Sequence, residues 1–254
     1  ELRREMGEKA VAAARAVNYR GAGTIEFLVD KYRHFYFLEM NTRLQVEHPI
    51  TEEVVGVDLV KEQLHVAGGE ALRFKQEDLF QRGHAIECRI CAEDTENGFI
   101  PCPGIIRQLT EPNGIGVRID SYVYEGYEIP LYYDPMIGKL IVWATNRQFA
   151  IERMRRVLYE FKITGLKTNI SYLRRIMYAP AFVKGEYDTS FLSKYSRSLQ
   201  RSNGENEEIE NMAMIAAYVD YLFNLEENSP VRTTDSRPIS RWREFGLQKG
   251  VLRI

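Results

Sequence analysis

The sequence predicts an α+β fold, in which a mostly β segment is preceded by a helix and a hairpin and followed by two further helices. Three observations lead to this prediction. Residues 2–16 carry Ala-rich helical periodicity and run into two short strand patterns. Residues 84–145 consist of strand patterns separated by turn signals. Amphipathic helical patterns then begin near Arg147 and near Asn169.

Composition and charge narrow the class of protein. Of the 254 residues, 44% are hydrophobic and 28% are charged, and the formal net charge is −2, so the sequence offers no basic surface for nucleic acid. No apolar run has the length of a membrane span, and the first residues lack the apolar centre of a signal peptide. We therefore expect a cytoplasmic or organelle-matrix protein that binds small molecules or proteins, but neither nucleic acid nor membrane.

Turn and cap signals place the first elements after the helix. TIEFLV (24–29) and FYFLEMN (35–41) are rich in aromatic and β-branched residues and are separated by a short polar linker, which favours a hairpin. Thr51 is a candidate N-cap for a helix with two glutamates in its first turn. A second helix is expected to end near Gly68.

The hairpin register is expected to bring two carboxylates face to face. A four-residue loop over residues 31–34 would pair Asp30 with Phe35 and, counting outward, Glu26 with Glu39. Opposed side chains have Cβ atoms roughly 5 Å apart, and like charges there are destabilising unless a cation or a proton intervenes. A hard cation such as Mg²⁺ is one solution, because it prefers oxygen ligands and commonly bridges carboxylates to phosphates.

A row of polar residues continues from the second strand in the stretch LEMNTRLQVEHP (38–49). If this stretch is extended, alternate side chains share one face, and these are Glu39, Asn41, Arg43, Gln45 and Glu47. The Asn41 amide would add an oxygen to the metal site. The alternative to a binding site is that these polar residues only form the solvent-exposed face of a half-buried hairpin.

Three side chains in this row or elsewhere in the sequence could bind a ligand or take part in catalysis. The planar guanidinium of Arg43 suits a planar oxyanion such as a carboxylate or bicarbonate. Glu47, close to that arginine, is a candidate general base. Arg118 begins a strand after a glycine turn, and its spacing alone favours a solvated strand arginine.

The remaining elements carry core and linker signals. Cys88, Cys91 and Cys102 are interpreted as ordinary strand and loop cysteines, since a structural zinc site would want four ligands. Residues 196–208 are polar and predict a linker, followed by a helix over residues 208–225 and a Pro/Thr/Ser/Arg-rich tail. The helix from Arg147 should bury positions 150, 151, 154, 157, 158 and 161, and the helix from Asn169 positions 170, 173, 176 and 177.

Residues 1–195 resemble the biotin carboxylase family of ATP-grasp enzymes. The resemblance lies in EMNTRLQVEHPITEEVVGVDLVKEQL, in YRGAGTIEF before it, and in GHAIECRICAED, GVRIDS and YYDPMIGKL after it. It implies the C-terminal part of an ATP-grasp domain in residues 1–80 and the biotin carboxylase C-terminal α+β domain in residues 81–195. Residues 196–254 would be a linker, a helix and a tail.

The resemblance also implies a nucleotide and metal site. Glu26 and Glu39 match the family's ligands for the Mg²⁺ or Mn²⁺ ions that bridge ATP phosphates, with Asn41 close by. Leu28 matches a position in the adenine pocket.

A bicarbonate and biotin site is implied in the same way. Arg43, Gln45 and the backbone of Val46 match the groups that hold bicarbonate. Glu47 matches the base that deprotonates it, and Arg118 matches the residue that steadies the biotin enolate. The implied reaction forms carboxyphosphate from bicarbonate and ATP and then carboxylates biotin.

The sequence lacks several motifs of the complete family enzymes, and we expect other segments or partner proteins to supply them. A glycine-rich lid and phosphate-binding lysines are not found, and the helical pattern already runs at Glu1, so we expect a cut piece that does not turn over ATP alone. No Lys stands between two Met residues, so biotin is expected on a separate biotin carboxyl carrier protein or domain. A carboxyltransferase subunit and a homodimer are the other implied partners, and the apolar stripe of the 208–225 helix is either internal packing or a docking face for the carboxyltransferase.

Two other functions stay open from the sequence. One is an ATP-grasp ligase that joins a carboxylate to an amine, and the other is a non-catalytic dimerisation or interaction module. The sequence leaves the final acyl acceptor open among acetyl-CoA, propionyl-CoA, methylcrotonyl-CoA and pyruvate.

Overall fold

The structure is a computed structural model that describes residues 1–199, 212–219 and 221. The chain divides into two units between residues 201 and 202. In the second unit, residues 212–219 and 221 are helical, which confirms the centre of the helix predicted over residues 208–225. The ends of that helix, its apolar residues Ile209, Leu222 and Phe223, and the predicted tail lie outside the described residues.

The first unit contains mixed helices and strands, which confirms the α+β class. Its α-helices are Leu2–Ala16 (α1), His48–Val55 (α2), Leu59–Ala67 (α3), Arg147–Glu160 (α4), Ile170–Tyr178 (α5), Pro180–Lys184 (α6), Phe191–Lys194 (α7) and Ser196–Leu199 (α8). Its longer strands are Thr24–Val29 (β1), Phe35–Asn41 (β2), His84–Cys91 (β3), Val117–Ser121 (β8) and Met136–Ala144 (β10). The short strands are Glu93–Asp94 (β4), Ile100–Pro101 (β5), Gly104–Ile105 (β6), Gln108–Thr110 (β7), Glu128–Ile129 (β9) and Lys162–Thr164 (β11).

The β1–β2 hairpin pairs Glu26 with Glu39, as predicted, but reaches that pairing by a different path. Phe35 lies opposite Val29 and not opposite Asp30, so the predicted pairing at the turn is wrong by one residue. The register then shifts between Glu26 and Phe27. Leu38 is the additional residue of this β-bulge, and it restores the carboxylate pair.

The polar row does not continue as a strand, which corrects the extended interpretation of residues 42–47. Strand β2 ends at Asn41, and a bend and a turn follow before helix α2. That helix begins at His48 with Glu47 as its N-cap, four residues before the predicted N-cap Thr51, because Pro49 lies in its first turn, where its fixed φ angle favours a helix.

The central sheet has the order β3–β10–β8, with both pairs antiparallel, and its two faces differ in chemistry. One face is apolar and packs with helices α4 and α5 in a continuous core. Fully buried members of that core include Ile90, Ile106, Leu140, Val142, Met154 and Val157. All six positions predicted for α4 are buried, and of the four predicted for α5 two are buried and two are partly buried.

The opposite face of the same sheet is charged. Lys139 lies between Arg89 and Asp120, and Ile141 lies between Glu87 and Arg118. Side chains two residues apart on a strand share a face, so four charged groups surround Lys139. Helix α2 contacts β3 and β10, which brings the end of the polar row to this sheet.

Burial is distributed unevenly along the chain. Of residues 1–83, only Pro49 is buried, whereas the apolar core lies in residues 84–199. Hairpin side chains with large exposed apolar surfaces are Leu28, Val29, Tyr36, Phe37 and Leu38. Within the part of the chain that is described, no helix combines the length and apolar character needed to cross a membrane.

Candidate active site

The hairpin brings four of the predicted site residues together around one carboxylate. The Asn41 amide nitrogen donates to Glu26 Oε1 at 2.8 Å and to Glu39 Oε1 at 3.3 Å. The Gln45 amide nitrogen also donates to Glu26 Oε1, at 3.0 Å. Gln45 thereby joins the carboxylate pair, and the four side chains form one polar cluster, here called the carboxylate cluster.

The chemistry of the carboxylate cluster fits a divalent ion that is shared with a phosphate. In the described part of the chain, no group of three or more His, Cys, Asp and Glu side chains could hold a metal by itself. The two carboxylates would supply some of the oxygen ligands of such an ion, and phosphate oxygens and water would supply the others. Asn41 presents its nitrogen to the carboxylates, so its amide must turn over before its oxygen can coordinate a metal.

A candidate anion site adjoins the carboxylate cluster along the chain. The Arg43 guanidinium is exposed, and it donates a long hydrogen bond of 3.4 Å to the Leu44 carbonyl. Among the described residues it forms no ion pair, and the Val46 N–H has no acceptor there. A planar fork and a free amide donor fit a small planar oxyanion.

Glu47 is held by an arginine of the central sheet. Arg89 Nη2 donates to Glu47 Oε2 at 2.8 Å, and both side chains are about half exposed, at 52% and 53%. Glu47 is the N-cap residue of α2, but its side chain accepts no capping hydrogen bond. Its carboxylate is therefore oriented by Arg89 and remains accessible to a ligand.

Arg118 is the centre of an ion-pair cluster, so its interpretation as a solvated strand arginine is wrong. Its guanidinium donates to both oxygens of Asp120, at 2.7 and 3.0 Å, and to Glu52 Oε2 at 2.7 Å. Its side chain is 33% exposed. The hydrogen bonds that Arg118 donates to Asp120 and then to Glu52 stabilise its charged form and raise the pKa of Arg118 above its ordinary value.

The backbone before Arg118 requires glycine. Gly116 has φ +69°, and a Cβ there would lie 2.5 Å from the Trp143 carbonyl oxygen. The Gly116 carbonyl accepts from the Trp143 N–H at 2.9 Å, which fixes the start of β8 against β10.

Lys139 joins the loop of the polar row to the charged face. Its ammonium donates to the Val46 carbonyl at 3.2 Å and lies 3.1 Å from Asp120 Oδ2, and its side chain is only 12% exposed. Burial tends to raise the pKa of Asp120, but the hydrogen bonds from Arg118 and Lys139 outweigh it and lower the pKa.

Glu87 is the least satisfied carboxylate on this face. Its Oε2 atom is buried and has no hydrogen-bond partner within the described residues. Burial raises the pKa of Glu87 to about 7, against the opposing charges of Lys139 and Arg89, and the charges of Glu47 and Asp120 add to the rise. A carboxyl in this state changes its charge near neutral pH.

Leu28 is exposed on β1, on the strand face that also carries Glu26, two residues away. A planar apolar group bound there would lie along the hairpin from the carboxylate cluster. No hydrogen bond or ion pair joins Arg43 or Glu47 to that cluster in the residues that are described.

Sequence reasoning missed the second half of the site, which consists of Glu52, Glu87, Arg89, Asp120 and Lys139. The signal was present in β3 and β8, where charged residues two positions apart alternate with apolar core residues in ECR and RID. Such alternation on a strand that is otherwise apolar predicts one charged face. Which distant loop would cover that face is not encoded in the alternation.

The pKa of Glu87 predicts a pH-dependent contribution to stability. Its carboxyl ionises near 4.5 in the unfolded chain and near 7 in the folded protein, so the folded state binds the extra proton between those values. Wild-type stability should therefore fall relative to Glu87→Gln as pH rises from about 4.5 to about 7, and the difference should level off above that. Urea unfolding midpoints at a series of pH values measure this difference.

Glu128→Gln is the matched control for this prediction, because it removes an exposed strand carboxylate. A wild-type difference from Glu87→Gln that is flat from pH 4 to pH 8 would contradict the assigned ionisation of Glu87.

Most of the chain is similar to known biotin carboxylases and to a related ATP-binding domain. Residues 87–194 match the model of the biotin carboxylase C-terminal domain, and residues 1–75 match that of the carbamoyl-phosphate synthase L chain ATP-binding domain. A biotin carboxylase of Nostoc sp. is 56% identical over 197 residues, which are 78% of this chain and 44% of that protein. A pyruvate carboxylase subunit from Methanothermobacter thermautotrophicus is 57% identical over 199 residues, which are 78% of this chain and 40% of that protein.

A solved structure with a similar fold carries ligands of the expected kind. The biotin carboxylase domain dimer of Hydrogenobacter thermophilus 2-oxoglutarate carboxylase, in complex with MgADP, ADP and bicarbonate, matches with a TM-score of 0.73 and 45% identity. The match covers 75% of this chain and 42% of that one. The chain thus spans less than half the length of each of these three relatives.

Proposed function

This chain belongs to the biotin carboxylase family, and we propose that it supplies the metal, bicarbonate and base groups of an ATP-dependent biotin carboxylase active site. The observation that carries the proposal is the stretch from Glu39 to Glu47. Its nine residues, together with Glu26 on the neighbouring strand, provide four groups. These are the carboxylate pair, the Arg43 guanidinium without an ion pair among the described residues, the free Val46 N–H and the accessible carboxylate of Glu47.

The first proposed step is the transfer of the γ-phosphoryl group of ATP to bicarbonate. Glu26 and Glu39, with Asn41 close by, would hold Mg²⁺ or Mn²⁺, which neutralises phosphate charge when bound. Arg43, Gln45 and the Val46 N–H would orient bicarbonate, and Glu47 would take its proton as the oxygen attacks phosphorus. Phosphoryl transfer depends on alignment and charge neutralisation, which matches a site without a Ser, Cys or His nucleophile.

The second proposed step delivers the carboxyl group to N1′ of biotin. Carboxyphosphate would break into CO₂ and phosphate, the phosphate would accept the N1′ proton, and N1′ would attack CO₂ while Arg118 stabilises the negative charge on the ureido oxygen. Its guanidinium is already held by Asp120 and Glu52, so it enters the step in a fixed orientation.

The rest of the machinery is proposed from the family. Leu28 would contact the adenine, a lid and phosphate-binding lysines would come from residues outside these 254, and biotin would arrive on a carrier protein or domain. The division at residues 80 and 195, a homodimer, a carboxyltransferase partner and a cytoplasmic location stay predictions of the same kind.

A carboxylate–amine ligase is the less supported alternative. Such a ligase would also use a carboxylate pair to bind metal. Its reaction gives no role to Glu47, which is held by Arg89, or to the ion-pair cluster around Arg118. A non-catalytic module gives no role to either site.

A chimera tests the proposed function. In the Nostoc sp. biotin carboxylase, the matching 197-residue segment is replaced by this chain's own residues, and bicarbonate-dependent ATP cleavage and carboxylation of free biotin are measured. We expect both activities in the chimera and neither in the 254-residue chain alone. A folded chimera that cleaves ATP without a requirement for bicarbonate would contradict the proposal.

A further inference from the structure

Lys139 occupies a position that the proposed reaction does not explain. It lies in the middle strand of the central sheet, nearly buried, and it donates across to the Val46 carbonyl at 3.2 Å. Val46 is 93 residues away in the sequence, in the turn before α2. A buried ammonium is costly unless it is paired, so a lysine at this point must have partners that hold it.

The contact fixes one peptide plane of the turn. A hydrogen bond to the Val46 carbonyl orients the peptide that joins Val46 to Glu47, and this sets the direction in which the Glu47 side chain leaves the backbone. Residues 42–47 belong to no helix or strand, so ladder hydrogen bonds do not orient this peptide. Lys139 supplies that restraint from the sheet.

Asp120 extends the contact to the other half of the site. It accepts from Arg118 through both oxygens, and its Oδ2 lies 3.1 Å from Lys139 Nζ. The result is a continuous chain of polar contacts from Arg118 through Asp120 and Lys139 to the turn at Val46. One end of this chain is Arg118, and the other is the turn that carries the proposed base, Glu47.

We propose that Lys139 is a positioning residue that holds the Val46–Glu47 turn in its bicarbonate-binding geometry. The inference rests on the proposed function for its kinetic consequence, but its structural consequence is independent of it. Lys139 touches neither reacting atoms nor substrate in the proposed reaction, and it acts through Val46 and Glu47.

The structural consequence is tested in the 254-residue chain without ligands. Amide hydrogen exchange is followed in a peptide that spans residues 44–50, for wild type, Lys139→Met and Lys139→Arg. We expect exchange in this peptide to accelerate by about tenfold or more in Lys139→Met, as for the loss of one hydrogen bond to a charged group. Lys139→Arg, which keeps a cationic donor, should restore most of the protection.

Lys167→Met is the matched control. Lys167 also donates to an aspartate, Asp94, but at a site away from the turn. It should leave exchange in residues 44–50 unchanged. Equal exchange in this peptide for wild type and a folded Lys139→Met would overturn the proposal.

The kinetic consequence is tested in the chimera. Lys139→Met should raise KM for bicarbonate by about tenfold or more while KM for ATP changes little, and Lys139→Arg should recover most of the loss. A loss of kcat with no change in bicarbonate KM would contradict the positioning role. If the wild-type chimera is itself inactive, the proposed function fails, and the exchange experiment still decides whether Lys139 holds the turn.

Discussion

Glu47→Gln is expected to lower the rate of bicarbonate-dependent ATP cleavage in the chimera by roughly 10²- to 10⁴-fold, the usual contribution of a general base. The amide keeps the size of the side chain but cannot accept the bicarbonate proton. Structural damage should be small, because Glu47 is 53% exposed and its side chain makes no capping hydrogen bond to α2. Steady-state rates at saturating ATP and bicarbonate, with thermal unfolding of each protein, measure the effect.

Glu160→Gln provides the matched control. Glu160 forms an exposed pair with Arg156 at 2.9 Å, which resembles the Glu47–Arg89 pair in length and exposure but lies on α4, outside the site. Its loss should leave the rate within about twofold, since exposed ion pairs contribute little. A Glu47→Gln chimera with more than a tenth of the wild-type rate would remove Glu47 from the role of base.

The second large effect is expected from the double variant Glu26→Gln/Glu39→Gln. Loss of both carboxylates should reduce Mg²⁺-dependent ATP cleavage in the chimera by on the order of 10²-fold or more, because metal stabilisation of phosphate charge contributes several kcal/mol. The same change should leave the metal-free 254-residue chain as stable as wild type or more stable, because two opposed like charges are removed. Mg²⁺ titrations of activity and urea unfolding test the two statements together.

Asp30→Asn is the control on the same hairpin. Asp30 accepts from the Tyr32 and His34 N–H groups, and asparagine can accept the same bonds. This variant should keep the wild-type Mg²⁺ requirement. A double variant that loses metal dependence only because the chain unfolds would show a lowered urea midpoint, and that result would count against the carboxylate cluster as a metal site.

Local signals were sufficient for most elements but failed where two signals competed. Helix α4 begins at Arg147 and α5 at Ile170, within one residue of the predicted starts, and both hairpin strands have the predicted bounds, since the residue periodicity is clear there. At the start of α2 two signals disagree, because Thr51 has the better capping side chain while Pro49 favours the first turn of a helix. The helix begins where the proline favours it, and strand β2 ends at Asn41 and does not continue through the polar row.

The site was predictable only on the side that is local in sequence. The carboxylate pair was predicted from a hairpin register that is wrong at the turn and is restored by the bulge at Leu38, and the position of the Asn41 amide follows from strand periodicity. The contacts of Glu47 with Arg89, of Glu52 with Arg118 and of Val46 with Lys139 join residues 42, 66 and 93 positions apart. Such contacts depend on how helix α2 packs on the sheet, and no local pattern encodes that packing.

Because of the bulge at Leu38, the pairing of the two carboxylates does not depend on the length of the hairpin loop. The turn can gain or lose a residue while the bulge takes up the difference, so that Glu26 and Glu39 remain opposed. The hairpin tip is consequently a place where insertions can be accommodated during divergence, or grafted by design, without displacing Glu26 and Glu39, the proposed metal ligands.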